Sequence, residues 1–538
     1  MLPLGRYGRR SSNVVDLSHS RLKSLHGGVQ RHAVVNCVNV PVSSAPTSVE
    51  EVATRPGLHL THTPTEVFST FPMAQIDVSD DRPALYNLCL TSRLLRDVAQ
   101  PVLFSHFDVP SPDKSDRKNA VHLLPPKRRL VLFSKTALQR SDLASRTKSM
   151  DLDFGSPQDN GIGGHILPED TALFSRMAKE IFPYAPDWTE RTRRRGFCAL
   201  LPLIFCRLPN LHSLVFVPPT DASSYILVPR GQLTKDDVCS ILPSLREVDI
   251  DSYGYGYNVP PELEDFGLFL CLPTLHHFRI DTFICTAWYR YIDNYLLPAP
   301  RTWLLSEVYL RNCTFMDAKN LTNFLAAFSK LKKFQFSAAD LGDDLVDYED
   351  YFTPAELKDA LERQVSSLEV LDIGLADVKY AADVEEDDSA EFASNYLDTG
   401  SLGRFEHLIQ LSIDALRLGA TANLPPNIIQ LIIRDVHGTR SLSEYHILRR
   451  YMNDLLNLDK TCPHIQYVFI QALKSNDILR IGEAHKATYH KDAKGRSILS
   501  FPNLPYKLYV CFVTFNDFGL PMYRELDDQI PEILASED

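Results

Sequence analysis

Three Asp-Phe-Gly tripeptides, starting at Asp153, Asp265 and Asp517, are the residues of this 538-residue chain that come nearest to a catalytic signature. In a kinase that aspartate holds magnesium, but it works beside an H-R-D-like loop and a lysine on a preceding strand, and neither occurs. The glycine-rich stretch "DNGIGGH" from Asp159 has no strand feeding it and no G-K-[ST] after it, so it reads as a loop rather than a phosphate cradle. Seventeen histidines are spread without an H-E-x-x-H pair, and no G-x-S-x-G elbow is present. Of His276 and His277, which share one phrase, one is expected to face solvent. "ERTRRR" from Glu190 reads as a solvated helix end. These absences predict a protein that is not an enzyme and that uses no cofactor and no metal.

Ten cysteines, at 37, 89, 198, 206, 239, 271, 285, 313, 462 and 511, form no C-x-x-C pair, which removes zinc ribbons and thioredoxin-type sites. Cys198, Cys206, Cys271 and Cys313 lie in or beside leucine-rich runs and read as buried thiols acting as small hydrophobes. That usage predicts a reducing compartment, cytoplasmic or nuclear. A net charge of −12 argues against nucleic acid as partner, and no apolar run is long enough to span a bilayer. Residues 1–57 read as a disordered basic tail, whose first 49 residues set Arg6, Arg9, Arg10, Arg21, Lys23 and Arg31 against Asp16.

The elements that would position any binding residue come from one recurring phrase. It reads "LPNLHSLVF" from Leu208, "LPSLREVDI" from Leu242, "LPTLHHFRI" from Leu272, "WLLSEVYL" from Trp303 and "LKKFQF" from Leu331. It returns as "SSLEVLDI" from Ser366, "FEHLIQLSI" from Phe405, "PPNIIQLII" from Pro425 and "CPHIQYVFI" from Cys462, with a looser copy in "LASRTKSMDL" from Leu143. The template is L-x-x-L-x-x-φ-x-φ, with φ a large apolar residue. Positions seven and nine are two apart and point to one face of a strand. A single such strand cannot cover its apolar side, so successive copies must stack as a parallel sheet. The seventh positions are Leu214, Val248, Phe278, Val308, Phe334, Leu371, Leu411, Leu431 and Val468. Between them, "PEDTALFSRMAKEIF" from Pro168, "DAKNLTNFLAAFSKL" from Asp317 and "YFTPAELKDALERQV" from Tyr351 read as helices, with Asp317 and Thr353 as caps and Pro354 opening its helix. The acidic runs from Asp340 and Asp383 read as solvated loops. After residue 475 the phrase stops, and "YKLYVCFVTF" from Tyr506 reads as one buried strand of a cap.

Ahead of the repeats lies "LYNLCLTSRLLRDVAQPVLFSHF", Leu85 to Phe107, apolar at helical spacing but interrupted at Thr91-Ser92-Arg93 and at Gln100-Pro101. With "PTEVF" from Pro64 it resembles the F-box of fungal F-box/leucine-rich-repeat proteins. The resemblance rests on Pro64, Glu66 and Val67, then Asp81, Leu85, Leu88, Ser92 and Arg93, closing with Pro101, Leu103, Phe104 and Phe107. Thr63 stands where the family has leucine, and Pro72 cuts the helix expected after Glu66, so the first half is degenerate. Leu85, Leu88, Leu94, Leu95 and Val98 form an apolar stripe that must rest on the repeats, on a partner, or on both.

The expected organisation is α/β. It runs from the tail to an F-box-like helical module over 58–110, a linker over 111–139, an irregular leucine-rich-repeat solenoid over 140–475 with strands on one face and helices on the other, and a cap over 476–538. The resemblance implies docking to the Skp-type linker of a cullin–RING ubiquitin ligase through Pro64, Glu66, Val67, Leu85, Leu88, Leu94, Leu95 and Val98. An unidentified protein client would then meet the polar residues beside the strands, Arg246, Glu247, Asp249, Arg279 and Asp281. The alternative is a leucine-rich-repeat interaction scaffold with a degenerate F-box and no ligase role.

Overall fold

The protein's structure, a computed structural model, describes residues 78–109, 126–153, 166–182, 197–217, 241–251, 266–270, 272–285, 303–315, 318–338, 354–374, 402–414, 424–434, 455, 458–472, 476–491, 497–502 and 504–512. Pro64, Glu66, Val67, the two acidic runs and "ERTRRR" lie outside them, as do the caps Asp317 and Thr353.

Fourteen strands join in one mixed sheet, most of them parallel. They are β1 His106–Val109, β2 Ser149–Asp153, β3 Ser213–Val217, β4 Glu247–Asp251, β5 His277–Cys285, β6 Glu307–Phe315 and β7 Lys333–Ala338, followed by β8 Val370–Gly374, β9 Gln410–Asp414, β10 Gln430–Arg434, β11 Tyr467–Ala472, β12 Thr488–Lys491, β13 Ser497–Phe501 and β14 Lys507–Phe512. From β1 to β11 every strand pairs in parallel with the next one in the chain, the stacking expected of a solenoid-like α/β fold.

The register is strict. The nine seventh-position residues from Leu214 to Val468 face one another in an unbroken row, which Met150 and Phe107 extend at one end and Leu508 at the other. Ninth-position residues from Phe216 to Ile470 form a second row two residues on. Both rows belong to the main core, together with apolar side chains of the helices. Even spacing places them on one face, and a slip of one residue would turn each row to the other side.

In several of the phrases positions one and four close a tight turn before the strand. Leu211 N–H donates to Leu208 O, Leu245 to Leu242, Leu275 to Leu272, Leu408 to Phe405 and Ile465 to Cys462, at 3.0–3.3 Å. Pro209, Pro243, Pro273 and Pro463 take the second turn position, where a φ fixed near −65° suits the geometry and no N–H is wasted. The fifth-position carbonyl then accepts two N–H groups from the next repeat. His212 O takes Arg246 and Glu247, Arg246 O takes His276 and His277, and Glu369 O takes Ile409 and Gln410.

The helices relevant below are α1 Val78–Thr91, α2 Arg93–Leu103, α3 Pro126–Gln139, α4 Pro168–Ile181, α5 Phe197–Phe205, α6 Ala318–Ala326, α7 Pro354–Leu361 and α8 Asn476–Ala484. Three differences from expectation follow. Helix α3 occupies much of the stretch expected as linker and buries Leu130, Val131, Phe133, Ala137 and Leu138 in the main core. On it Arg128 and Lys135, seven residues apart, bond the buried Asp170 of α4 at 2.9 and 3.0 Å. Burial pushes that carboxyl up, but Lys135 and Arg128 together hold it below the ordinary aspartate value. Helix α2 continues through Pro101, which falls in its last turn where one lost bond is tolerated. Among the described residues the cap adds two strands to the expected one: β14 is parallel to β11, and β13 and β12 follow it antiparallel, ending the sheet on four exposed residues.

Candidate functional site

The helical hairpin is set by local chemistry. Helix α1 ends at Thr91, whose Oγ1 donates to Asn87 O at 2.9 Å. Ser92 then adopts extended backbone, and its Oγ accepts from Leu95 N at 3.2 Å to cap α2. Arg96 Nε donates to Cys89 O at 3.1 Å and ties the second helix to the end of the first. The turn over Thr91-Ser92-Arg93 therefore falls where the sequence pattern places it.

One side of this hairpin meets the repeats. Ala99 is buried, and the Phe104 and Phe107 rings lie 6.1 and 3.9 Å from that of Phe133 on α3. Away from that contact Tyr86, Leu88, Leu90 and Leu94 are 59%, 41%, 65% and 59% exposed. Leu85, Leu95 and Val98 are half-buried. Of the expected stripe, Leu88 and Leu94 thus point out. Tyr86 and Leu90, which sequence reasoning passed over, join them, and their i, i+4 spacing on α1 was the available signal.

A second surface is the sheet face opposite the core, built from positions six, eight and ten. Arg279 Nη1 meets Asp249 Oδ2 at 3.2 Å. Glu307 gathers three partners: Lys333 Nζ at 2.9 Å, Tyr309 OH at 3.1 Å and His277 Nδ1 at 3.4 Å. Arg311 bonds Gln335 Oε1 through Nε and Nη2 at 3.3 and 3.2 Å. The two carboxyls respond in opposite ways. Desolvation pushes Asp249 up and nearby Asp251 adds to it, so Arg279 does not restore the ordinary value. Partial burial also pushes Glu307 up, but Lys333, Tyr309 and His277 together hold it below the usual glutamate range.

Of the five expected client contacts, Arg246 and Glu247 are exposed at the start of β4, and Asp249 and Arg279 sit half-buried side by side. Asp281 differs: it is 2% exposed, beside Thr282, whose backbone takes a φ of 65°, and Thr282 Oγ1 donates to Asp281 Oδ1 at 3.2 Å. A side chain so enclosed offers a client no surface, and it is withdrawn from the set. His276 is exposed and His277 half-buried, as their alternation in the phrase requires. His277, Glu307, Tyr309, Arg311 and Lys333 belong to the same surface and were not anticipated. They occupy the same offsets in the next phrases, which was the signal.

This surface offers charge and hydrogen bonds for recognition. Among the described residues, no group of three or more His, Cys, Asp or Glu side chains is arranged to hold a metal ion, and no helix is long and apolar enough to cross a membrane. Cys89 and Cys462 are buried free thiols, and burial pushes the half-buried free thiol of Cys206 up to about 12. No protein-family model matches the chain, and no curated protein matches it.

Proposed function

We propose that the chain is a substrate-recruiting adaptor subunit of a cullin–RING ubiquitin ligase, an F-box-like hairpin joined to a leucine-rich-repeat solenoid. The hairpin docks the Skp-type linker, and the polar sheet face holds a protein client. The adaptor performs no bond chemistry. It raises the effective concentration of the client near the ubiquitin-charged enzyme.

The observation that carries this reading is the exposed quartet of Tyr86, Leu88, Leu90 and Leu94. A hairpin that only covered the end of the repeats would need Ala99, Phe104 and Phe107 facing inward and would gain nothing from four large apolar side chains in water. Large apolar side chains left in water beside a packed face are candidates for protein binding, and helical apolar faces dock into grooves. The inward packing is what favours the alternative, a scaffold whose hairpin is merely its first cap.

The test is a pull-down of the purified Skp-type linker by full-length protein and by a Leu88→Asp/Leu94→Asp variant. Both residues are exposed, so melting should stay unchanged. Binding by the wild type and loss in the variant supports the adaptor. Failure of the wild type to bind gives the lead to the scaffold, and binding by both proteins removes the hairpin as the docking element.

A further inference from the structure

Just before each strand, at position five of the phrase, the register sets successive repeats side by side. From β2 to β7 that row reads Lys148, His212, Arg246, His276, Ser306 and Lys332. Two residues earlier, at position three, Arg146 accompanies Lys148, Leu304 accompanies Ser306 and Lys330 accompanies Lys332. Neither row holds an aspartate or glutamate until Glu369 of the next repeat. The sign of this rim is therefore opposite to that of the chain, whose net charge is −12.

Arg146, Lys148, Arg246 and Lys330 are exposed, and none has an ion-pair or side-chain hydrogen-bond partner among the described residues. Lys332 is already held by Glu369 at 2.8 Å, which closes the row. Leu304 is 56% exposed within it. The carboxylates at position six do not reverse the sign: Lys333, Tyr309 and His277 take up Glu307, and the exposed Glu247 offsets a single charge.

The backbone beneath the rim is fixed. From Lys148 to Ser306 each position-five carbonyl accepts two N–H groups from the next repeat. Side chains also tie turn to turn: Asn210 Nδ2 donates to Ser145 O at 2.7 Å, and Thr274 Oγ1 to Leu245 O at 2.8 Å. Adjacent strands lie about 4.8 Å apart, so Lys148 and Lys332 stand about 24 Å apart along the row. A helix rises about 5.4 Å per turn and would drift only about 3 Å from that spacing over five turns, within reach of Lys and Arg side chains. Alternate residues of an extended chain lie about 6.7 Å apart and would drift about three times as far. Neither row offers an exposed Phe, Tyr or Trp on which bases could stack, whereas Leu304 gives a protein segment an apolar contact.

We infer that this rim binds an acidic α-helix of a partner protein, laid across the repeats with carboxylates along one face and a large apolar residue against Leu304. The carboxylates meet Arg146, Lys148, Arg246 and Lys330. The inference gives the client a chemical class and rests on the adaptor reading for the client's role, whereas the binding is a property of the rim alone.

Fluorescence anisotropy on the purified full-length protein, without any linker protein, tests it. The probe is a labelled alanine-based peptide of about 20 residues, enough for five helical turns, with glutamates on one face and a single leucine one turn from its end. It should bind, and an isomer with the same composition but its glutamates scattered round the helix should bind about fivefold or more weakly. Lys148→Glu/Lys330→Glu should weaken the probe about tenfold or more, because two exposed pairs turn repulsive. Leu304→Ser should weaken it about threefold. Lys179→Glu/Lys491→Glu makes the same change of charge away from the rim and should bind like the wild type. All of these positions are exposed, so the variants should melt like the wild type. Absence of binding, equal loss in the two double variants, indifference to Leu304→Ser, equal binding of the isomer, or tighter binding of a single-stranded oligouridine would each overturn the inference. None of these outcomes depends on linker binding, so the adaptor reading can fail while the rim site stands, and the reverse.

Discussion

Asp372 on β8 and Arg434 on β10 are joined across the strand between them: the guanidinium Nη2 donates to Asp372 Oδ1, over the buried Ser412 of β9. Both side chains are almost wholly withdrawn from water. Gly374 lies beside the guanidinium, where an added Cβ would stand in ordinary contact, 3.4 Å from Arg434 Nη1. Breaking a buried pair from one side leaves a charge without its counterpart, so Asp372→Ala should cost about 3–5 kcal/mol. Adding Arg434→Met should recover part of that loss. Denaturant unfolding of the two single variants and the double variant gives the coupling, and strictly additive losses would show that the pair does not act as a unit.

Glu307 and Asp249, on the same face, should give opposite responses to acid. The folded-state pKa of Glu307 is lowered, so its contribution is present above the ordinary value of 4.5 and is lost as pH falls through the folded value. Glu307→Gln should therefore cost up to about 1 kcal/mol at pH 7, with the difference fading below pH 4. The pKa of Asp249 is raised, so ionising it costs stability as pH rises through its ordinary 3.8 and on past the folded value. Asp249→Asn should be neutral or stabilising at pH 7 and lose that advantage in acid. Melting temperatures from pH 3 to 7 decide both, and parallel curves for the two variants would refute the assignment.

Leu245, at position four, and Leu371, at position seven, are fully buried in the main core. Truncation to alanine should cost about 2–5 kcal/mol at each site, the span reflecting how far the neighbours collapse into the space. Unchanged melting of both variants would contradict the strand register.

That register is legible in the sequence because strand side chains alternate with a period of two and the phrase repeats it. The strand β1 is harder to read: His106-Phe107-Asp108-Val109 holds a single alternation and follows helically spaced residues without a break. In α3 the run Leu130-Val131-Leu132-Phe133 is continuous, so it lacks the gaps that announce an amphipathic helix. The polar surface is legible only once the phrases are aligned. Glu307 finds His277 and Lys333 because strand pairing sets them side by side at position six, although about thirty residues of chain separate each contact. For Asp281 no alignment suffices, since its enclosure comes with the left-handed backbone at Thr282, which a threonine does not advertise.

Gln364 carries the last prediction, because it replaces a bond that several other repeats make for themselves. After α7 a 3₁₀ turn over Glu362–Gln364 brings its side chain to the preceding repeat. There Nε2 donates to Phe328 O at 3.1 Å and to Leu325 O at 2.9 Å, while Oε1 accepts from Leu331 N at 3.2 Å. Phe328 and Leu331 are positions one and four of their phrase, so the amide bridges the turn that elsewhere closes on its own N–H. Gln364→Leu keeps the volume but strips partners from three backbone groups and should cost about 3 kcal/mol. Gln364→Glu restores the acceptor yet turns an anion toward two carbonyls. Its burial and those carbonyls must raise the new carboxyl's pKa, so stability should fall as pH rises through the ordinary glutamate value of about 4.3 and on past that raised pKa. Urea midpoints at pH 7 and pH 5 should therefore converge on the wild type in acid for Gln364→Glu and stay apart for Gln364→Leu. Similar behaviour of the two variants would mean that the turn closes without the amide.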